Sequence, residues 1–201
     1  VGELTCSAKK RSSGDCVKLT VKSAATSLLT AGVLTSHSLI ADPISGNALP
    51  TNPDVISGTA DFQAIENQLT IQQNTNQLIT NWDTFNIGSD ASVNFIQPDS
   101  SSSAINFVQS MDPSYIFGSL TANGQVILVN PSGIQFGPGA RFDGSSFIGS
   151  TLNIDGQDYL NGNLDFYNQG NAQSILNEGS LSAFANGTVA LIAPQITNLG
   201  T

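Results

Sequence analysis

The chain has 201 residues and a formal net charge of −9, yet only 10% of its residues are charged while 39% are hydrophobic. The apolar content excludes a disordered acidic tail, and the shortage of charged helix formers excludes a helical bundle or coiled coil. The remaining residues are rich in Asn, Ser, Thr, Gln and Gly between β-branched and aromatic residues, which is typical of an all-β protein with many turns.

The N-terminal residues 1–41 are predicted to be a leader. Lys18 and Lys22 precede a weakly apolar run that ends at Ala41 before a polar break, as in a secretory signal peptide cleaved after that alanine. The alternative is an amphipathic helix that packs on the domain. Residues 1–16 are either an extended leader or translated sequence upstream of the true start.

Both cysteines and the single histidine fall in this leader. Cys6 and Cys16 either close a small disulfide loop or are two thiols without a role, since their spacing fits neither a redox pair nor a zinc site. Removal of the leader with His37 would leave a mature domain, 42–201, that contains neither residue type.

The charge distribution of the mature domain limits its partners. From Asp42 onward there are 13 acidic residues and one base, Arg141, which is expected to pair with an acid such as Asp143. This surface repels phosphate backbones, so nucleic acid is excluded as a partner.

The body of the chain consists of short alternating runs separated by Gly and Asn. Two apolar residues flank one residue expected to point the other way in each of these runs: 69–71, 85–87, 93–95, 105–107, 134–136, 152–154, 181–183 and 189–191. The turn signature that starts at Asn177 recurs 21 residues later at Asn198. A period of about 20 residues with three short strands favours a right-handed parallel β-helix, with a β-sandwich as the alternative.

Three further expectations follow from the β-helix. An inward Asn at the recurring turn should bind the Asn of the next coil. The apolar run 55–79 should cap the first coil, because an open end would expose strand edges. Further coils are expected beyond Thr201.

Three segments then carry a family resemblance. They are 81–88 (NWDTFNIG), 112–118 (DPSYIFG) and 120–137, which contains ANGQVILVNPSGIQFG. This chain resembles the secretion domain of filamentous-haemagglutinin-type exoproteins, the cargo of two-partner secretion, over about residues 50–201. One departure is Ser132, where the family usually has Asn.

The resemblance implies an all-β, right-handed parallel β-helix with an N-terminal cap and short extra-helical β elements, and no enzymatic activity or cofactor. It implies secretion through the periplasm to the surface of a Gram-negative bacterium. The implied partner is an outer-membrane transporter of the TpsB type with POTRA domains. The missing downstream passenger would be an adhesin or haemagglutinin, a haemolysin, a haem-acquisition protein or a toxin, with receptors on host cells or other surfaces.

The candidate site is the turn formed by Asn130, Pro131, Ser132, Gly133 and Ile134. Pro131 suits the second position of a β-turn, and Gly133 allows a positive φ. Asn130 is expected to bind the turn's own backbone through its side chain. The resemblance implies that this motif is also needed for secretion.

The alternative from another class is a β-helix polysaccharide lyase or hydrolase. Asp155, Asp158 and Asp165 form the only local acidic cluster, on a stretch, 155–171, predicted to be an exposed excursion. Such enzymes use clustered acids, and lyases also need a cationic base. Arg141 is the only candidate for that base after residue 41. Solvated loop acids are the simpler interpretation. Trp82 and the phenylalanines are likewise expected to fill the core rather than to form a glycan platform.

Overall fold

The computed structural model describes residues 43–201. The predicted leader, with its two cysteines, its histidine and its cleavage site, lies outside these residues. The strands are β1 (Asp54–Ser57), β2 (Ala60–Ile65), β3 (Gln68–Gln73), β4 (Gln77–Trp82), β5 (Ser92–Ile96), β6 (Ser103–Val108), β7 (Ser114–Ile116), β8 (Ser119–Val129), β9 (Ile134–Phe136), β10 (Arg141–Ser150), β11 (Asn153–Ile154), β12 (Phe166–Tyr167), β13 (Ile175–Asn177), β14 (Ser180–Ala183), β15 (Val189–Ile192) and β16 (Ile196–Asn198). The described helix is α1 (Gly156–Leu160).

Parallel strands stack into a β-helix of about five coils with three faces. The first face holds β3, β5, the first half of β8, the first half of β10, and β14. The second holds β4, β6, the second halves of β8 and β10, and β15. The third holds β7, β9, β13 and β16. The predicted β-helix is therefore confirmed, and the sandwich alternative is not the observed fold.

The strand lengths differ from the predicted short runs at two places. Strands β8 and β10 have 11 and 10 residues because each continues around the corner between the first two faces. Their pairing shifts register at that corner, between Gly144 and Ser146. The run 85–87, in contrast, forms only an isolated bridge from Ile87 to Ile116.

The inward face of β6 is opposite to the prediction for 105–107. Asn106 points into the helix and is fully buried, while Ile105 and Phe107 face outward. The side chain of Trp82 donates to Asn106 Oδ1 at 3.0 Å, and Asn106 Nδ2 donates to the Ile127 carbonyl at 3.2 Å. These bonds satisfy an amide that would otherwise be costly to bury.

The N-terminal cap is formed by the first part of the predicted capping run 55–79, whereas β3 and β4 of that run form the first coil itself. Strand β1 pairs with β4 and β2 pairs with β3, both antiparallel, so they cover the first coil. The ring of Phe62 packs edge-on against Trp82 with centroids 5.6 Å apart. The cap thus closes the apolar cross-section that a bare first coil would expose.

Two apolar clusters result. The inner core fills the β-helix and contains most of the large aromatic residues, which confirms their predicted core role. Its largest members are Trp82, Phe85, Phe95, Phe136, Phe142 and Phe147. The outer cluster lies on the outside of the second face and consists of Ile79, Ile105, Ile127, Val129, Ile148, Ile154 and Tyr159.

The segment 153–167, called here the excursion, covers the outer cluster. Strands β11 and β12 pair antiparallel and flank α1, whose Tyr159 is 2% exposed. Hydrogen bonds fasten α1 to strands of the second face. The Tyr159 hydroxyl donates to the Ser103 carbonyl of β6 at 2.8 Å, and Gln77 Nε2 of β4 donates to the Tyr159 carbonyl at 3.1 Å. The prediction of an exposed excursion over 155–171 is therefore wrong at Tyr159, which anchors α1 on the second face. Within residues 43–201, no helix is long and apolar enough to cross a membrane.

Candidate functional site

The candidate site is the corner where β8 ends and β9 begins. The Gly133 amide donates to the Asn130 carbonyl at 3.0 Å, and the Ser132 amide donates to Asn130 Oδ1 at 2.9 Å. The turn is therefore closed once by backbone and once by side chain, as the order of these residues predicts. Gly133 has a φ of +116°, a value that strains any residue with a Cβ.

Asn130 also binds the preceding coil. Its side chain is fully buried, and Nδ2 donates to the Asp112 carbonyl at 3.1 Å and to Ser114 Oγ at 3.0 Å. Ser114 is itself fully buried and opens β7. With Oδ1 held by Ser132, both polar ends of the amide are occupied, so its loss would leave buried groups without partners.

The same corner binds the following coil through its backbone. The Asn130 amide donates to the Ser150 carbonyl at 2.9 Å, and the Pro131 carbonyl accepts from the Gln173 amide at 2.9 Å. Thr151 Oγ1 donates to the Gln173 carbonyl at 2.7 Å. One short turn thus connects three consecutive coils.

Ser132 and Ile134 complete the corner. The hydroxyl of Ser132 donates to the Ser110 carbonyl at 3.3 Å, which is a second link to the preceding coil. Ile134 is 2% exposed in the inner core and pairs in register with Ser114 on one side and Ile175 on the other. The chemistry of this corner is structural: its polar atoms bind other parts of the chain.

A second buried amide network lies at the corner between the first two faces and was missed from the sequence. Gln97 Nε2 donates to Gln73 Oε1 at 3.1 Å, and Gln97 Oε1 accepts from the Gly124 amide at 2.8 Å. Gln73 Nε2 continues the network to the Ser103 carbonyl at 3.0 Å. The Asn123-Gly124 turn signature was the available signal; nothing marked Gln73 or Gln97, since Gln is common throughout this sequence.

The predicted Asn pairing at the recurring turn is present. Asn177 Nδ2 donates to Asn198 Oδ1 at 2.8 Å across 21 residues. The sequence Asn168-Gln169-Gly170 resembles this turn but behaves differently, because Asn168 Oδ1 accepts from the Gly170 amide at 2.7 Å within its own turn. Asn168 therefore stabilises a local turn in the excursion's neighbourhood without linking coils.

One residue of the acidic cluster considered for the enzyme alternative has a structural role. Asp155 Oδ1 accepts from the Gln157 amide at 2.7 Å and from the Asp158 amide at 3.2 Å, so it caps α1. Within residues 43–201, no three Asp, Glu, His or Cys side chains are grouped so that they could hold a metal ion.

The remaining charged groups lie on the surface. Arg141 forms an exposed ion pair with Asp143, as expected, and this pairing raises the pKa of Arg141. Hydrogen bonds from Ser101 and then Ser102 lower the pKa of Asp99, which keeps this exposed turn carboxylate ionised. The described surface is therefore acidic, and its one base is already paired.

Several known proteins are similar to this chain. The family model described as the TPS secretion domain matches residues 41–201. A curated relative, the heme/hemopexin-binding protein of Haemophilus influenzae strain Rd, is 37% identical over 111 residues, which is 55% of this chain and 12% of the relative. A second heme/hemopexin-binding protein from Haemophilus influenzae is 28% identical over 148 residues, 70% of this chain and 16% of the relative.

A solved structure gives the same fold. The crystal structure of the HMW1 secretion domain from Haemophilus influenzae superimposes with a TM-score of 0.72 at 33% identity, covering 75% of this chain and 41% of that one. This chain spans less than a fifth of the length of the curated relatives it matches. Because the family model matches most of its length, the chain belongs to the family of TPS secretion domains.

Proposed function

We propose that this chain is the secretion domain of a larger exported exoprotein, recognised in the periplasm by a TpsB-type outer-membrane transporter through its POTRA domains. The observation that carries the proposal is the match of residues 41–201 to the TPS secretion domain, together with the solved HMW1 secretion domain of the same fold. The domain then nucleates folding of the passenger β-helix at the cell surface, because its capped first coils offer a template on which further coils stack.

The composition of the domain suits passage through a barrel. Residues 43–201 contain no cysteine, so no disulfide loop has to be threaded. Residues 1–41 act as the signal for the inner membrane and are removed after Ala41, which leaves the domain 42–201 to meet the transporter. Mass spectrometry of secreted material should then give a mature form that starts at Asp42, and a mature form that keeps Cys6 and Cys16 would contradict this.

The passenger is an adhesin or haemagglutinin in this proposal, with haem acquisition as the second candidate. The second candidate is favoured by the names of the two curated relatives, which are heme/hemopexin-binding proteins. The polysaccharide lyase or hydrolase alternative is not favoured, since Asp155 caps a helix and its neighbours form no metal-binding group in the described chain.

Within this function the corner from Asn130 to Ile134 acts through folding. Its side-chain and backbone bonds join three coils, so the corner shapes the surface that the transporter meets without having to touch it. Secretion and stability should therefore depend on Asn130 together.

The proposal is tested by co-production in a Gram-negative host. The chain with its leader is produced with and without a TpsB-type transporter from the same organism, and the amount in the medium is measured against a periplasmic marker. Secretion that requires the transporter is the expected result. Retention in the periplasm despite a functional transporter, or equal release without it, would overturn the proposed function.

A further inference from the structure

An open groove of about 420 Å³ crosses the outside of the second face. Its floor is formed by Ile79 of β4 and Phe107 of β6, and its far wall by Leu160 and the first turn of α1. Its near wall is Ile56 of β1. The groove therefore lies between the N-terminal cap and the excursion, beside the outer cluster.

Ile56 is placed at this groove by a bulge. The pairing of β1 with β4 is irregular between Val55 and Ser57, and Val55 packs against the inner core. A bulge inserts an extra residue and redirects its side chain. Ile56 is consequently 55% exposed, whereas Ile79 on the groove floor is only 4% exposed. The lip of the groove thus presents an apolar side chain that the described chain leaves uncovered.

The neighbouring backbone is also available. Within residues 43–201, β1 pairs with β4 alone and stands at the end of its sheet. An edge strand of this kind can accept an extended segment by backbone hydrogen bonds, while an adjacent pocket receives one of its side chains.

The rim of the groove determines the charge of its occupant. Asp155, which caps α1, lines the groove, and Asp54 lies directly opposite Asn81, another lining residue. The only base of the described chain, Arg141, lies on the first face in its pair with Asp143. An occupant with Lys or Arg beside an apolar side chain would be complementary, whereas a second copy of this acidic chain would bring like charges together.

We propose that the groove between β1 and α1 docks an extended, basic segment of the outer-membrane transporter that inserts one apolar side chain against Ile56, Ile79 and Phe107. This inference rests on the proposed function and names the surface through which that function operates. The acidic rim speeds the encounter, and the apolar insertion holds the complex.

The experiment compares two exposed isoleucines of the cap. Ile56→Ser removes the groove lip, and Ile65→Ser removes a side chain of similar exposure, 58%, on β2 outside the groove. Binding of the full chain to the purified transporter that secretes it, held in detergent, is measured with thermal melts of each variant. Ile56→Ser should bind about tenfold more weakly, because apolar burial in the groove is lost, while Ile65→Ser should bind within about twofold of the parent. Both should melt like the parent.

A second pair tests the charge. Asp54→Asn should slow association and weaken its dependence on salt, and Glu66→Gln, an acid on the other side of the cap, should change neither. Equal binding by the Ile56→Ser and Ile65→Ser variants would overturn the groove while leaving the proposed function intact. A dimer of the parent that is lost in Ile56→Ser would assign the groove to a second copy and also overturn it. A parent chain that does not bind the transporter would contradict the proposed function itself.

Discussion

The inner core and the outer cluster bury neighbouring residues of one strand by different means. Leu128 and Ile127 follow each other in β8, and both are fully buried. Leu128 belongs to the inner core, which every coil shares, whereas Ile127 belongs to the outer cluster. The inner core is created by the winding of the chain itself. The outer cluster is created only when the excursion folds back over the second face.

Because of this difference, alternating apolar and polar residues are not required in every strand of the β-helix. A strand with one covered face buries every second residue. On the second face the excursion covers the other side as well, so Ile127 and Leu128 are both buried although only Leu128 faces the inner core. We expect the outer cluster to be exposed to water more readily than the inner core, since this requires only detachment of the excursion, whereas exposure of the inner core requires the coils to separate.

The largest expected effect comes from a charge in each cluster. Leu128→Asp places an unpaired carboxylate in the shared core and should unfold the domain at room temperature, a loss of several kcal/mol. Ile127→Asp should cost less, because detachment of the excursion gives its carboxylate access to water. Circular dichroism melts with limited proteolysis check this: Ile127→Asp should keep its β signal while being cleaved within 153–167. Equal unfolding of both variants would contradict the separation of the two clusters.

A smaller effect is expected at the link between α1 and the second face. Tyr159→Phe keeps the ring in the outer cluster but removes the hydrogen bonds of its hydroxyl to the carbonyl and the hydroxyl of Ser103. The free energy of unfolding should fall by about 1 kcal/mol, and cleavage of the excursion should become faster. Tyr167→Phe is the matched control, since Tyr167 is 43% exposed. A Tyr159→Phe domain that resists protease as the parent does would show that the hydroxyl does not anchor the helix.

The smallest effect is a dependence on alkaline pH. Burial raises the pKa of Tyr159 above its ordinary value of 10.0. The folded state holds this proton more tightly than the unfolded state. The stability that the protonated hydroxyl contributes is therefore fully present below pH 10 and is lost as the pH rises through the raised pKa. Between about pH 9 and about pH 11, denaturant melts should therefore show a larger loss of stability for the parent than for Tyr159→Phe. An identical loss of stability in both proteins would contradict the assignment to Tyr159.

The sequence predicts the coils and their corners better than it predicts what lies outside them. The alternating runs and the recurrence of Asn177 at Asn198 predict the β-helix and the amide pair between its coils. The inward orientation of Asn106 could not be predicted, because a buried amide is stabilised by Trp82 and a carbonyl of another strand, neither of which is near it in sequence.

In the candidate site, too, the local turn could be predicted from the sequence but its contacts to the preceding coil could not. The Asn130 turn follows from local residue order, since Pro131 and Gly133 restrict the backbone and the amide reaches only two residues ahead. Its bonds to Asp112 and Ser114 depend on coil stacking, which sets contacts between residues 16 and 18 positions apart. The groove at Ile56 depends on a bulge and on a docked helix, and neither has a sequence signal of its own.

The role of the corner in folding is tested most directly by comparing two asparagines that form the same kind of turn at different places in the chain. Asn130→Ala removes a buried amide that also binds the preceding coil, and Asn168→Ala removes an amide that accepts only within its own turn. Thermal melts of the purified domain are run beside transporter-dependent secretion of each variant. The account predicts that Asn130→Ala loses roughly 2–3 kcal/mol of stability and is secreted less, while Asn168→Ala changes little in either assay. An Asn130→Ala domain that melts like the parent yet is not secreted would contradict the folding-based account and assign the corner to direct contact with the transporter.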